Sequence, residues 1–423
     1  MSNRIHARYR IETAFPIEKA AAVLAGEQSS GTFVKVPGET PELRERHAAR
    51  VERIAELDAV SSPSLPGAAV PKGATNPVWR RAEIDVTWPI ENLGPSIENL
   101  MATVAGNLFE LQQFSGLKLT DLTLPPAFRD AYPGPGFAVA GTRRLSGVDG
   151  LPLIGTIIKP SVGLTPEATA SMVAQLAEGG IDFIKDDELQ ADGPHCPFAD
   201  RVDAVMRVLR NHRDRTGKLV MYAFNVSGGV DAMRRRHDLV EAAGGSCVMV
   251  SVNGVGLAGV DALRRHSRLP IHGHRNGWGM FDRSPHIGMS YLAYQKFWRL
   301  AGVDHLHVNG LRNKFCESDE SVMASARECL RPMFPDAPGF EIMPVFSSGQ
   351  TAKQAHDTYR LLGSTDLIFA CGGGIVAHPG GIGAGVRAVR TAWQAAVAGV
   401  SLEAAAKESR ELTEAIAAFG GRG

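Results

Sequence analysis

From Leu151 to about Val397 the chain repeats one texture, a short β-branched apolar run followed by a longer amphipathic segment. The runs are Leu153 to Ile158, Ile181 to Ile184, Leu219 to Phe224, Cys247 to Val252, Leu269 to Gly273, Asp304 to His307, Ile342 to Phe346 and Leu367 to Ala370. Strands alternating with helical segments imply βα units and a parallel sheet. Eight such units over roughly 250 residues fit a closed (β/α)8 barrel. A doubly wound open sheet is the alternative, but it needs a glycine fingerprint after its first strand. Lys159-Pro160-Ser161-Val162-Gly163 is not one.

The preceding part lacks this rhythm and reads as a separate α+β unit, which divides the chain into domains 1–145 and 146–423. Ile5 to Thr13 and Ala82 to Trp88 alternate like strands, and Ile17 to Ala25 has helical spacing. Glu39 to Leu57, rich in Arg and Glu, is expected to form a surface helix. Ser61 to Pro77, dense in Ser, Pro and Gly, is expected to form a mobile loop.

Charge narrows the partners. The 423 residues carry 45 Lys plus Arg against 45 Asp plus Glu, a balance that argues against nucleic acid and against a polybasic membrane surface. Small neutral or anionic solutes are the expected ligands. No apolar stretch reaches bilayer length, and the opening residues lack the apolar core of a secretory signal, so a soluble cytoplasmic protein is expected. Five widely spaced cysteines (Cys196, Cys247, Cys316, Cys329, Cys371) without a Cys-x-x-Cys pair suit reduced thiols.

In a barrel, chemistry belongs at the carboxyl ends of the strands. Here they are Lys159, Lys185-Asp186-Asp187-Glu188, Asn225, His272 with His274-Arg275, His305 with His307, Ser347-Ser348-Gly349 and Gly372-Gly373-Gly374. Alternation puts Lys185 and Asp187 on one face, and Glu188 can join them where the strand turns into its loop. Adjacent carboxylates repel unless a cation neutralises them, and oxygen ligands suit Mg2+. Lys185 can pair with that cluster or carry CO2 as a carbamate, adding an anionic oxygen; a solvated charged loop is the plainer alternative. Glycines after strands seven and eight can let a phosphate approach backbone N–H groups, or simply make tight turns. Arg275 offers a bidentate guanidinium. His305 and His307 share a strand face but lack a third ligand spaced for zinc.

The segments Gly155-Thr-Ile-Ile-Lys-Pro160, Gly179-Gly-Ile-Asp-Phe-Ile-Lys-Asp-Asp-Glu188, His272-Gly-His-Arg275, Gly302-Val-Asp-His-Leu-His307 and Cys371-Gly-Gly-Gly-Ile-Val-Ala-His-Pro379 resemble the ribulose bisphosphate carboxylase (RuBisCO) large subunit. Glu27-Gln-Ser-Ser-Gly-Thr32 and Gly106-Asn107 extend the likeness to the N-terminal part. The resemblance implies a C-terminal (β/α)8 TIM barrel with an N-terminal α+β domain of ferredoxin-like type. It makes Lys185 the carbamylated lysine that binds Mg2+ with Asp187 and Glu188, Lys159 the acid/base lysine, and His274 a helper near substrate hydroxyls. Lys314 matches the mobile-loop lysine that meets a carboxyl group. Arg275, His307 and Ser347 match one phosphate site with its neighbouring hydroxyl contacts; Thr32, Gly349, Gly372 and Gly373 match the other. Glu27 and Asn107 would reach the site from a partner subunit, which implies a homodimer or an assembly of dimers.

Departures point away from carbon fixation. Ser161 stands where carboxylases carry a second lysine, Trp278 where they carry a phosphate-site histidine, and Phe33 where they carry a tryptophan. The loop from Val308 to Phe315 also departs from their pattern. The chain thus resembles RuBisCO-like proteins, with a substrate of one phosphate. Retained Lys159, His274 and Lys314 favour a decarboxylase, or a transcarboxylase/hydrolase, of a branched 3-keto sugar-acid phosphate such as 3-oxo-isoapionate 4-phosphate, through an enediolate. An enolase or isomerase of a methylthio-ketose phosphate in methionine salvage, and a non-catalytic RuBisCO-like protein, are the alternatives.

Overall fold

The computed structural model describes residues 3–30 and 36–420. The chain folds into two compact units, one of Met1–Pro133, Gly277–Leu300 and Met333–Gly339, the other of Gly134–Asn276, Ala301–Pro332 and Phe340–Gly423.

The first unit is built on β1 (Arg4–Thr13), β2 (Arg50–Val60), β3 (Trp79–Pro89) and β4 (Gly116–Thr123), with helices Ile17–Glu27 and Ile97–Ala105 in the connections. The β-α-β-β-α-β succession and the spatial order β4-β1-β3-β2 are those of a ferredoxin-like sheet. On β1, Ile5, Ala7, Tyr9 and Ile11 alternate inward and are buried, so period two sets the register against β3. The surface helix expected over Glu39 to Leu57 is only partly found. A helix covers Pro41–His47, capped by Thr40 Oγ1, and then the chain becomes β2. Among the described strands β2 borders only β3, and it buries no residue fully, so its strand pattern is written largely in charged side chains and escapes a hydrophobicity reading. No helix or strand lies between Val60 and Trp79, as the Ser, Pro and Gly content implies.

The second unit contains the barrel. Its strands are β5 (Leu153–Ile157), β6 (Phe183–Lys185), β7 (Met221–Asn225), β8 (Cys247–Ser251) and β9 (Ile271–His274). After β10 (Ile287–Met289) come β11 (His305–His307), β12 (Met343–Phe346) and β13 (Ile368–Ala370). β5 to β9 and β11 to β13 close into a parallel eight-stranded barrel, one strand for each expected run. Leu153, Phe183, Met221, Cys247, Met343 and Ile368 are all fully buried in one cluster, which makes the barrel interior a packed core. β10 instead pairs parallel with β4 in the first unit, a connection that no apolar run announced.

Two buried acids tie strand starts to their surroundings. Asp182 accepts from Ile154 N at 2.9 Å and pairs with Lys218 and Arg390 at 2.7 and 2.8 Å. Asp304 accepts from the N–H groups of Ala138 and Ile271, each at 2.8 Å, and pairs with Arg264 at 3.1 Å. Each carboxylate thereby meets backbone donors and a cation, the condition for burying charge at tolerable cost. All five cysteines are free, and only Cys316 is exposed. No described helix is long and apolar enough to cross a membrane.

Candidate active site

Alternation along β6 and its exit sorts three acids by task. Asp186 turns outward and is fully buried, accepting from Tyr222 Oη at 2.5 Å, Asn225 N at 2.9 Å and Arg201 Nε at 3.2 Å. Alternation set Asp186 apart from Lys185 and Asp187, but its partners Tyr222, Asn225 and Arg201 were not foreseen. Asn225, at the end of β7, donates its amide to the carbonyls of Asp187 and Glu188, both at 3.2 Å, and so holds the loop.

Lys185, Asp187 and Glu188 converge on the other side. Lys185 is fully buried, and its Nζ makes no hydrogen bond; Glu188 Oε2 lies 3.7 Å away. Burial lowers the Lys185 pKa from its ordinary 10.5, against the opposing pull of Glu188 and Asp187. Asp187 Oδ2 accepts from Lys159 Nζ at 2.6 Å, and Oδ1 accepts from Leu189 N at 3.1 Å. Burial tends to raise the Asp187 pKa, but these bonds outweigh it and hold the group below its usual range. Glu188 is also held low, because His274 and Lys185 together outweigh its desolvation. Lys159 Nζ makes a second bond to Ser161 Oγ at 2.8 Å, so the serine found in place of a second lysine is a partner of the first.

Imidazoles from β9 and β11 form the adjoining wall. His274 Nε2 lies 3.5 Å from Glu188 Oε2, and its ring centroid lies 4.5 Å from that of His307. His307 Nε2 is 2.9 Å from His272 Nε2, and its Nδ1 is 2.9 Å from Ser347 Oγ. Burial, reinforced by the Lys185 charge, pulls His274 down to about 4, and burial alone pulls His305 to about 3. His272 and His307 are depressed in the same direction. Neutral imidazoles in the barrel interior result. The His305 and His307 side chains do not share a ligand, since His305 Nε2 lies 2.8 Å from Thr142 Oγ1.

Arg275 pairs with Glu317 at 2.8 Å, and both side chains are nearly buried. Glu317 also accepts from Asn309 Nδ2 at 2.6 Å, Asn309 Oδ1 accepts from Ser348 Oγ at 2.7 Å, and the Ser347 and Ser348 hydroxyls are 3.4 Å apart. A polar chain thus connects Arg275 to Ser347 and His307. Glu317 and Asn309 were missed by sequence reasoning, because a loop residue between two elements carries no periodic signal.

Gly349 has φ +93°, a conformation that favours glycine, and Ser348 before it has φ +69°. A Cβ on Gly373 would meet nothing within 4 Å, and one on Gly372 only Ile157 Cδ1 at 3.8 Å, whereas one on Gly374 would lie 2.5 Å from Gln350 O. Gly374 is therefore needed for packing, while Gly372 and Gly373 border open space. Lys314 is exposed; its backbone N–H donates to Ser348 O at 3.1 Å, and its Nζ sits 5.3 Å from the Phe315 ring centroid. Glu27, at the end of its helix, and Asn107, which opens the short Asn107–Glu110 helix, are exposed in the first unit. Thr32 and Phe33 lie outside the described residues. Trp278 packs in the first unit against Tyr294 and Tyr291, with centroids 4.4 and 5.6 Å away.

Residues 2–128 match the N-terminal domain, and residues 138–419 the catalytic domain, of the ribulose bisphosphate carboxylase large chain. A 3-oxo-isoapionate-4-phosphate transcarboxylase/hydrolase of Xanthobacter autotrophicus is 58% identical over 98% of this chain and 99% of its own length. A 3-oxo-isoapionate-4-phosphate decarboxylase of Rhizobium etli is 47% identical over 97% of each chain. The crystal structure of a rubisco-like protein from Burkholderia fungorum superposes with a TM-score of 0.92 at 46% identity, covering 98% of this chain and 100% of that one. With both halves matched and near-complete coverage of these relatives, the chain belongs to the ribulose bisphosphate carboxylase large chain family.

Proposed function

We propose that the protein is a Mg2+-dependent enzyme that cleaves a carbon–carbon bond in a branched 3-keto sugar-acid phosphate such as 3-oxo-isoapionate 4-phosphate, as a decarboxylase or a transcarboxylase/hydrolase. The observation that carries the reading is the buried, unbonded Lys185 amine beside Asp187 and Glu188, in a chain 58% identical to a relative named for that substrate.

The residues fit the metal that the family implies. A neutral amine is a nucleophile, and burial favours the neutral form of Lys185. CO2 added to it would give a carbamate, which with Asp187 and Glu188 forms a set of anionic oxygens suited to Mg2+. Bound there, the ion would supply Lewis-acid polarisation of the substrate carbonyl and its neighbouring oxygen. The chain's own groups do the rest. Lys159, held by Asp187 and Ser161, delivers a proton to the carbon left when the carboxyl group departs. His274, kept neutral by burial, exchanges protons with a substrate hydroxyl. Lys314 meets the substrate carboxylate from its exposed loop. Gly349, Gly372 and Gly373, with Thr32, receive the phosphate, and His307 and Ser347 contact hydroxyls. Arg275 already has a carboxylate in Glu317, which supports a substrate with one phosphate. Glu27 and Asn107 complete the site from a second subunit in a homodimer.

Substrate labelled with 13C in its carboxyl group tests this reading in the presence of Mg2+ and bicarbonate. Decarboxylation places the label in CO2, and cleavage by water leaves it in a smaller acid. No turnover of the keto acid, together with proton exchange on 5-methylthioribulose 1-phosphate in D2O, would overturn the proposal.

A further inference from the structure

Among the described residues, one group of metal-ligating side chains is separate from the strand-end cluster. His237 and Asp238 lie on the helix Val230–Ala242, which follows β7, and His266 ends the helix Leu257–His266, which follows β8. One potential ligand atom from each lies within 4.8 Å of the other two. Asp238 Oδ1 is the meeting point, 3.0 Å from His237 Nδ1 and 2.6 Å from His266 Nε2. The two rings stand nearly perpendicular, 78° apart with centroids separated by 5.2 Å, so they approach the carboxylate from different directions.

Burial is graded across the group. His237 is fully enclosed, His266 is 29% exposed and Asp238 53%. The inner imidazole is consequently held by packing, while the outer carboxylate can adjust and one side stays open to water. His237 Nε2 is buried without a hydrogen-bond partner, so only the Nδ1 edge of this ring is engaged. Glu241, one turn further along, is held by Arg268 at 2.6 and 2.5 Å and is not needed as a ligand.

We infer that His237, Asp238 and His266 form a zinc site that staples two consecutive outer helices of the barrel. Two imidazoles and one carboxylate suit Zn2+, whose bonds of roughly 2.0–2.2 Å in tetrahedral array put ligand atoms about 3.3–3.5 Å apart. Reaching that spacing requires the exposed Asp238 carboxylate to draw back slightly from both nitrogens and the two imidazoles, whose ligand atoms lie within 4.8 Å of one another, to close on the ion. The donor set disfavours Mg2+, which demands oxygen ligands and octahedral geometry, and so distinguishes this site from the cluster at Lys185. His266 ends its helix, where the partial negative charge of the last carbonyls favours a cation. The fourth position falls to water.

Equilibrium dialysis of the full-length protein against zinc chloride, with excess Mg2+ and bicarbonate present, tests the assignment. The expected result is one zinc per chain at free zinc on the order of micromolar, a raised unfolding temperature, and a tetrahedral visible spectrum when Co2+ is substituted. His266→Asn and Asp238→Asn should each weaken zinc binding by roughly 100-fold or more, and Lys185→Ala should bind zinc as the parent does. His266→Asn should retain the parent's Mg2+-dependent turnover, which shows that it folds. Absence of stoichiometric zinc in the parent protein, retention in both His266→Asn and Asp238→Asn, or its loss in Lys185→Ala would overturn the inference.

Discussion

Replacing Lys185 by Met isolates the energetics of the candidate active site. Methionine nearly matches the lysine stem in length and removes the amine. In the absence of CO2 and metal, that amine is fully buried and unbonded, a state that costs about 1–3 kcal/mol for a polar group. Against this stands the loss of the 3.7 Å contact with Glu188, which is 30% exposed and so contributes about 1 kcal/mol. The net expectation is a variant between about equal in stability and 2 kcal/mol more stable than the parent. With Mg2+ and bicarbonate at about 100 times their apparent dissociation constant, the parent gains about 2.7 kcal/mol and the variant nothing. The order of stability should therefore reverse between the two conditions. Urea unfolding in CO2-free buffer with chelator, and again with Mg2+ and bicarbonate, measures this directly, with turnover expected only for the parent. A variant destabilised by more than about 1 kcal/mol in CO2-free buffer would show that the amine is well satisfied, and equal responses to Mg2+ and bicarbonate would remove Lys185 from the metal site.

Four further outcomes follow from the same geometry. Lys159→Met should lower turnover by about 100-fold or more while leaving Mg2+ binding within about threefold, read from separate kinetic and calorimetric titrations; undiminished product formation would remove it as proton donor. Glu317→Gln should release Arg275 for anions and tighten inhibition by inorganic phosphate on the order of tenfold, and unchanged inhibition would show that the pair does not set phosphate number. Arg201→Met leaves Asp186 with only Tyr222 and Asn225 N as partners, and urea unfolding should show about 3–5 kcal/mol of destabilisation. His305 is held neutral to about pH 3 when folded, whereas an unfolded histidine binds its proton near 6.5. Between those values the unfolded chain holds more protons, so stability falls as pH falls. His305→Gln should reduce that slope by about 1.4 kcal/mol per pH unit, and an unchanged acid limb would contradict the burial argument.

The barrel was legible because its strands are short apolar segments ending in polar residues, and all eight appear where those segments lie. Period two also separated Lys185 and Asp187 from Asp186. The β2 strand was missed for the complementary reason, since a strand that borders one neighbour has little apolar surface to bury. The pairing of β10 with β4 was invisible, because three residues carry too little pattern to declare a partner. At the site, residue types at the strand ends were readable, but the partners of Arg275 and Lys159 were not.

Local periodicity depends only on neighbours along the chain, and so the βα rhythm, the strand ends and the set of acids and lysines gathered there were readable from residue order alone. Long-range packing decided the rest. Only the folded chain shows Asp186 spent on Arg201 and Tyr222, Glu317 seated on Arg275, four imidazoles sharing one wall and the Lys185 amine left without a hydrogen bond. These depend on side chains brought together across strands and loops, and on the loss of water that shifts their protonation, neither of which is encoded at any single position.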